Sequence, residues 1–548
     1  MKKIWLKHYP NNVVPEIGKL KFNSIIDLMR SSSSLFPNNT AFTNLNTELS
    51  YKKVEKYSEK IGAYLYTRLS ITKSSKVAIM LPNLLTYPIA LFGAYLAGAT
   101  VVNINPLFKG REIENALNNS KAETIIILDR FIPELEPIIK NTSIKNIIVC
   151  RVTDLLSPSM SILVKTVLFF KGPKIKMNKN YLFFSKILSN SYPKASINLN
   201  KDDIALLQYT GGTTGKSKAA VLSHENILSN IEQLNLWVEP ILSPGRERII
   251  TALPLYHIFS FTVNLMYFYS IGSNNILVTN PRDLKSFLQT LKKYEFTVIT
   301  GVNTLFNLLL TSSTFKRLNF SSLKFTVGGG MAVLKSTSDK WKKVTGINIT
   351  QGYGLTETSP IVTVNVISDS FNGSIGLPLP STDVSIRDEN NNEIDIGQEG
   401  ELCVKGPQVM SRYWNNPEES EASFTTDGFF KTGDIAIIDK YGYLKIVDRK
   451  KDMIITSGYN VYPNEIEDYV SQHPDVNECG VIGVEDINRG ESINLFIVKS
   501  KNSLTQTEVI DFCKKGLTIY KIPKKVIFIK ELPKNNVGKI LRRKLREL

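Results

Sequence analysis

A chain of 548 residues exceeds what one hydrophobic core usually serves, so two or more domains are expected. Hydrophobic residues at 42% against 21% charged describe a globular protein and exclude a disordered one. The formal charge of +17 fits a polyanion, an anionic membrane or phosphate-bearing substrates, or reflects only a Lys-, Asn- and Ile-rich composition; without a Lys/Arg tract or a nucleic-acid module, nucleic acid is set aside as a partner.

The opening MKKIWLKHYP has basic residues but no apolar core or cleavage site behind it, and so is read as no signal peptide. A helix is predicted over 51–69 and a strand over 77–80. The longest apolar stretch, 81–102, is punctuated by Pro82, Pro88, Gly93 and Gly98. A bilayer-spanning helix needs about 20 apolar residues, so a buried helix (87–97) and a strand (99–104) are predicted there instead. Further strands at 124–128, 147–149, 249–253, 276–279, 297–300 and 324–327 alternate with helical patterns at 111–118 and 283–293. Such alternation implies α/β layers with largely parallel sheets.

After about residue 370 short strands at 384–387, 401–405, 435–439 and 443–447 suggest a small β subdomain. The charged break 448–452 (DRKKD) separates it from a helix (464–473), a strand (480–484), a helix (505–516) and a strand (526–529). The expected architecture is a large N-terminal domain of layered α/β sheets with a β subdomain (1–449, the subdomain from about 370), then a small mobile α+β domain (450–548), hinged at 450–451. The scattered Cys150, Cys403, Cys479 and Cys513 form no CxxC pair and suit a reducing compartment, filling core space as free thiols.

The segment 206–218, LLQYTGGTTGKSK, carries the first chemistry. A strand-like lead ends at Tyr209 and enters Thr210, Gly211, Gly212, Thr213, Thr214, Gly215, Lys216, Ser217 and Lys218. Glycines let backbone N–H groups converge on an anion, hydroxyls add donors and lysines add charge, which is what a phosphate cradle requires. The P-loop pattern G-x-x-x-x-G-K-S/T is missed by one residue, because Thr210 stands where glycine is required. The run 219–222 also continues as a strand, with a helix expected only near Ser223 or His224.

Together with five later segments, this loop resembles the adenylate-forming (AMP-binding) superfamily over essentially the whole chain. The segments are 253–259 (LPLYHIF), 351–358 (QGYGLTET), 430–434 (FKTGD), 444–467 (LKIVDRKKDMIITSGYNVYPNEIE) and 536–543 (NVGKILRR). The stretch 427–451 and the opening decapeptide resemble the bacterial long-chain fatty acyl-CoA synthetases. The resemblance implies ATP-dependent conversion of a long-chain fatty acid to acyl-CoA through an acyl-adenylate, with ATP and coenzyme A as co-substrates and Mg²⁺ as cofactor. The whole loop from Tyr209 to Lys218 would face the nucleotide, with Gly328, Gly329 and Gly330 approaching adenine and Tyr353 stacking on it. Thr356 would donate to the α-phosphate and Glu357 would hold Mg²⁺. Asp434 would accept the ribose hydroxyls, Arg449 would touch the nucleotide, and Lys539 would be the catalytic lysine. Gly458 would leave room for the pantetheine arm, His257 would line the acyl-adenylate site, and Phe261 would gate the acyl tunnel. Arg542, Arg543 and Lys544 read as a solvated basic tail.

Departures from the family pattern are Ala219 at the end of the loop, Gln351 before Gly-Tyr-Gly, and Arg412 at a frequent glycine position, where a positive φ would strain it. The stretch 161–184 mixes Leu, Val and Phe with Lys165, Lys171, Lys174, Lys176 and Lys179, like an interfacial surface element broken at Gly172 and Pro173. A cytoplasmic location, a peripheral contact with the inner face of the cell membrane and a homodimer complete the expectations. The competing readings are an adenylate former for another acid or acceptor (an aryl-CoA or carrier-protein ligase), a P-loop ATPase, and a non-catalytic fatty-acid-binding or membrane-surface protein.

Overall fold

The structure, a computed structural model, describes residues 2–171, 175, 177–210, 217–367, 369–456, 459–486, 489–501, 503–535 and 538–548. Among these residues four sheets organise the chain. One is built around strand Lys76–Met80, parallel to Thr100–Asn103 on one side and Thr124–Leu128 on the other. Asn146–Cys150 and Leu182–Phe183 extend one edge; Ile204–Tyr209 and the antiparallel Ala219–Ser223 extend the other. The central strands read as unbroken apolar runs (KVAIM, TIIIL) because they are buried on both faces, as in layered α/β proteins.

The second sheet has a parallel centre in the order Asn274–Leu277, Arg248–Thr251, Val298–Gly301, Phe325–Gly328, Ile349–Gly354. Antiparallel Ile361–Val364 and Leu377–Pro378 close one end, and the hairpin Thr40–Asn44 with Thr47–Ser50 closes the other. Helix Thr86–Leu96 is buried at every position, so the long apolar stretch is core, as its prolines and glycines imply. No helix among the described residues is long and apolar enough to cross a membrane. Trp5, in the short helix Ile4–His8, is also buried.

The third sheet, antiparallel, comprises Asp383–Arg387, Gly400–Lys405, Phe430–Ile438 and Leu444–Arg449. The fourth pairs Tyr459–Val461, Ile454–Thr456, Gly490–Lys499 and Val476–Asp486, with Lys525–Phe528 alongside Gly490–Lys499. Among the described residues, its buried core runs from Ile454 to Val526, with Phe528 packed against it. The four cysteines are free and buried. Arg412 has no positive φ; the left-handed residue of that turn is Asn415, at φ 50°, so the arginine carries no backbone strain.

Buried polar side chains tie the two parallel sheets together where the site lies. The Asn83 amide donates to the carbonyls of Thr251 (3.0 Å) and Leu253 (2.9 Å) and accepts from Leu255 N–H (2.8 Å). The Tyr87 hydroxyl lies 3.1 Å from Leu255 O, and the Gln208 amide donates to Tyr256 O at 3.1 Å. Segment 253–257 is therefore hung from three side chains of the other sheet and its helix.

Candidate active site

Strand Ile204–Tyr209 leads into the glycine-rich loop, and Ala219–Ser223 returns antiparallel beside it, with Tyr209 opposite Ala219. Thr210 N–H donates to Lys218 O at 2.8 Å and the Ser217 hydroxyl to Thr210 O at 2.6 Å, which closes the loop at its base. Helix His224–Val238 begins after the returning strand, capped by Ser223. The loop is thus the turn of a hairpin, whereas a P-loop opens directly into its helix. Gly211, Gly212, Thr213, Thr214, Gly215, Lys216 and Gly458 lie outside the described residues.

The loop base is laced to Glu357 through one segment. Val221 N–H donates to Arg412 O (3.0 Å), Trp414 N–H to Ala219 O (2.8 Å) and Met410 N–H to Glu357 O (2.7 Å). The Tyr413 hydroxyl then donates to Glu357 Oε1 at 2.7 Å. Burial raises the pKa of Glu357, and the Tyr413 hydrogen bond opposes that rise. The Lys218 ammonium pairs with Glu419 and lies 5.5 Å from the Tyr413 ring centroid.

Asp434 stands opposite Arg449 across two antiparallel strands. Its Oδ1 faces Arg449 Nε at 3.2 Å and its Oδ2 accepts from the Tyr353 hydroxyl at 2.6 Å. Burial and the adjacent Asp434 charge both push the Tyr353 phenol pKa up. Lys539 sits in a turn closed by Asn535 N–H to Lys539 O (2.8 Å) and Lys539 N–H to Asn535 Oδ1 (2.9 Å). The turn meets helix Asn303–Thr311, which follows strand Val298–Gly301 of the second sheet; there the Thr304 hydroxyl donates to Gly538 O at 3.2 Å.

These groups converge on a cavity of about 600 Å³, within the usual range of small-molecule sites, roughly 300–1,000 Å³. Its polar lining includes Thr210, Lys218, His257, Tyr353, Thr356, Glu357, Arg449, Lys450, Lys451 and Lys539. Its apolar lining includes Leu234, Val238, Val263, Tyr267, Phe268, Phe325 and Val364. Asp434 lines an adjoining recess with Thr432, Gly433 and Arg449. Desolvation first, then the charge of Arg449, with smaller contributions from Arg542 and Lys451, lowers the Lys539 pKa to about 7, against an opposing pull from Asp434. His257 is lowered to about 4 by burial and by Lys539, so it is neutral at pH 7. Its Nδ1 faces Phe259 N–H at 3.4 Å, which leaves the ring proton on Nε2.

Four sequence expectations are corrected by these positions. The Tyr209 side chain leaves the cavity; its hydroxyl is shared between Ala116 O and Asn119 Oδ1, each 2.8 Å away. Gly329 and Gly330 line the cavity, the latter at φ +75°, but Gly328 does not. A Cβ at Gly328 would come within 2.6 Å of Val333 Cγ2 and 2.8 Å of Ile349 Cγ2, so internal packing requires that glycine. Phe261 is fully buried in the main core. Segment Ser260–Tyr267 is a π-helix, a form frequent at functional sites, and Phe259, Val263 and Tyr267, four residues apart, take the cavity side instead.

The fourth correction is Arg542, which is no solvated tail. Its guanidinium binds Glu467 with Nη2 at 3.0 and 2.9 Å, Asn464 Oδ1 at 2.8 Å and Asp452 at 3.4 Å, with Asp448 Oδ1 3.8 Å away. Asp448 is closed to solvent and also accepts from Asn464 N–H at 2.8 Å. Sequence reading missed Tyr413 and Glu419 as well; no local pattern marks them, because each meets its partner only through the 410–414 lacing.

A single cavity lined both by lysine, arginine and threonine donors and by a set of large apolar side chains suits an acid-activating, nucleotide-binding enzyme. The chain belongs to the AMP-binding enzyme family: the family pattern matches residues 29–414, and that of the AMP-binding enzyme C-terminal domain matches residues 465–539. It is 47% identical to the long-chain-fatty-acid–CoA ligase of Escherichia coli O157:H7, 44% to that of Haemophilus influenzae and 35% to that of Bacillus subtilis, each alignment covering 100% of this chain and 98% of the relative. Among solved structures it is similar to the anthranilate CoA ligase AuaEII in complex with anthranoyl-AMP, with a TM-score of 0.86, 25% identity and coverage of 97% of this chain and 98% of that one. For ATP-bound MatB from Rhodopseudomonas palustris the TM-score is 0.78 at 26% identity, covering 96% and 99%.

Two outcomes follow from the charges. An unfolded lysine holds its proton to about pH 10.5, so between about 7 and that value the unfolded chain binds one proton more than the folded one, and folding gains stability as pH rises. Lys539→Met should therefore raise the melting temperature of the ligand-free protein most below pH 7, the gain fading toward pH 10; a gain independent of pH would mean that the ammonium is not desolvated. Arg542→Ala leaves Glu467 and Asp448 buried without their cation and should cost about 3–5 kcal/mol in urea denaturation. A cost near zero would return Arg542 to the solvated tail.

Proposed function

We propose that this chain is an AMP-forming long-chain fatty acid–CoA ligase. It joins a fatty acid to coenzyme A in two steps, through an acyl-adenylate, and releases pyrophosphate and AMP. One observation carries the reading: the polar wall of Lys218, Thr356, Glu357, Arg449 and Lys539 and the apolar chamber of Val238, Val263, Tyr267 and Phe268 belong to a single cavity. The full-length likeness to ligases of that name from three bacteria supports the choice of acid.

In the first step a carboxylate oxygen attacks the α-phosphorus of ATP, the O–P bond forms, and pyrophosphate leaves with the electrons of the broken bond. Two anions must approach each other, and the Lys539 ammonium opposes that repulsion. Binding of the triphosphate raises the Lys539 pKa again, so the group is charged when needed. Thr210 and Lys218, with the loop between them, hold the phosphates, and Thr356 donates to the α-phosphate. The residues present fit Mg²⁺: Glu357 offers one buried carboxylate, and among the described residues no set of three or more His, Cys, Asp or Glu forms a protein cage. That suits a hard cation that takes most of its oxygens from phosphate and water, and its charge would neutralise the triphosphate. Asp434 takes the ribose hydroxyls, sharing with Tyr353 and Arg449 the oxygens they already bind. Neutral His257 lines the acyl-adenylate, and Phe259 occupies the tunnel position expected of Phe261.

In the second step the coenzyme A thiol loses its proton and attacks the acyl carbon; AMP departs with the mixed-anhydride oxygen. We place residues 1–449 and 450–548 on either side of a hinge at Lys450–Lys451, whose rotation withdraws Lys539 and presents the Gly458 region to the pantetheine arm. Asp448 lies before the hinge and Arg542 after it, so their cluster braces the adenylation arrangement.

Pyrophosphate release and thioester formation, followed across a chain-length series, test the reading. Maximal turnover is expected with long-chain acids; activity confined to short or aromatic acids, or transfer to a carrier protein only, would overturn it. Lys539→Ala should slow adenylate formation about 10²–10³-fold while transfer from preformed acyl-adenylate stays near wild type. Equal loss in both steps would reject this division of labour.

A further inference from the structure

Helix Pro158–Lys171 has the sequence PSMSILVKTVLFFK, apolar enough for an interior, yet none of its described side chains is buried. Ile162, Leu163, Val167, Phe169 and Phe170 are between 50% and 83% exposed. In a water-soluble surface such an uncovered strip is unfavourable, and a patch of this kind marks an interaction site. At 14 residues the helix is too short to cross a bilayer, which takes about 20. It follows Asn146–Cys150 and precedes Leu182–Phe183, so it lies in the crossover to the edge strand of its sheet.

The surrounding sequence indicates what covers it. From residue 155 to 201 there are eight lysines and no aspartate or glutamate, a block of +8 within a chain of net charge +17. Two copies of this chain meeting through the same helix would bring two such blocks together. An anionic lipid surface instead meets both features at once: headgroups take the lysines and the acyl boundary takes the aromatic and aliphatic strip.

We infer that helix Pro158–Lys171 lies in the surface of an anionic phospholipid bilayer, with Ile162, Leu163, Phe169 and Phe170 inserted at the acyl boundary and the neighbouring lysines at the headgroups. Its purpose rests on the reading of a fatty acid substrate, which partitions into the same bilayer; the binding itself does not.

Full-length protein is sedimented with vesicles of phosphatidylglycerol and phosphatidylcholine, and with phosphatidylcholine alone, in the absence of acid, ATP and coenzyme A. Wild type should pellet with the anionic vesicles and be released by high salt. The variant Ile162→Ser, Leu163→Ser, Phe169→Ser, Phe170→Ser and the variant Lys165→Gln, Lys171→Gln, Lys174→Gln, Lys176→Gln should each bind at least about tenfold more weakly. Both should keep wild-type melting and adenylation of an acid presented in solution. Absence of wild-type binding overturns the inference. So does unchanged binding of the serine variant, which would make the contact purely electrostatic, or a wild-type dimer that the serine variant dissociates, which would make the helix an interface between copies. Because binding is read without substrates, its failure is distinguishable from failure of the proposed reaction.

Discussion

Positive charge gathered on one wall of a partly apolar cavity is the constraint on which this molecule turns. Lys539, Arg449 and Lys451 share one wall with few acids among them, and the Lys539 ammonium is depressed mainly because so much protein surrounds it. Cations gathered in this way repel one another, and negative charge beside them would relieve the cost. The same low-dielectric surroundings that make the lysine reluctant to hold its proton make its charge effective once phosphate is beside it. Segment 253–257 is fixed to two sheets by Asn83, Tyr87 and Gln208, so little reorganisation accompanies binding.

The remaining polar groups of the wall are not left waiting. Glu357 holds Tyr413, Asp434 holds Tyr353 and Arg449, and Lys218 holds Glu419. The first two satisfy buried carboxylates that would otherwise be expensive to desolvate, whereas the Lys218–Glu419 pair stays partly exposed. In the proposed reaction each would also set a cost on nucleotide binding, since a ligand oxygen would have to share or displace a contact already made.

At the other end of the chain, the turn carrying Lys539 meets helix Asn303–Thr311 where Thr304 donates to Gly538 O. Three residues on, Arg542 gathers Glu467, Asn464, Asp452 and Asp448 around one guanidinium. A planar cation with several donors is suited to bridge such a set. The described residues from Ile454 to Val526 have a hydrophobic cluster of their own.

Much of the secondary structure was legible because it rests on local pattern: unbroken apolar runs produced the central strands, and the periodic segment Tyr51–Leu69 folded as a helix over its whole predicted length. The reading of the loop as a phosphate cradle was equally local, since it rests on glycines, threonines and lysines within one stretch, but residues 211–216 lie outside those described. The direction of side chains was not local. Tyr209 and Phe261 belong to the right segments but turn away from the cavity, because the Ala116 carbonyl and the π-helical winding of Ser260–Tyr267 decide which face each presents. Arg542 reads as one more basic residue in a basic tail until Glu467 and Asp448 are brought beside it from 75 and 94 residues away. Sequence by itself therefore determined the elements, the family and the chemical groups. Tertiary structure alone decided which of those groups share a desolvated wall, since burial and the charge felt at any one atom are sums over neighbours remote in the chain.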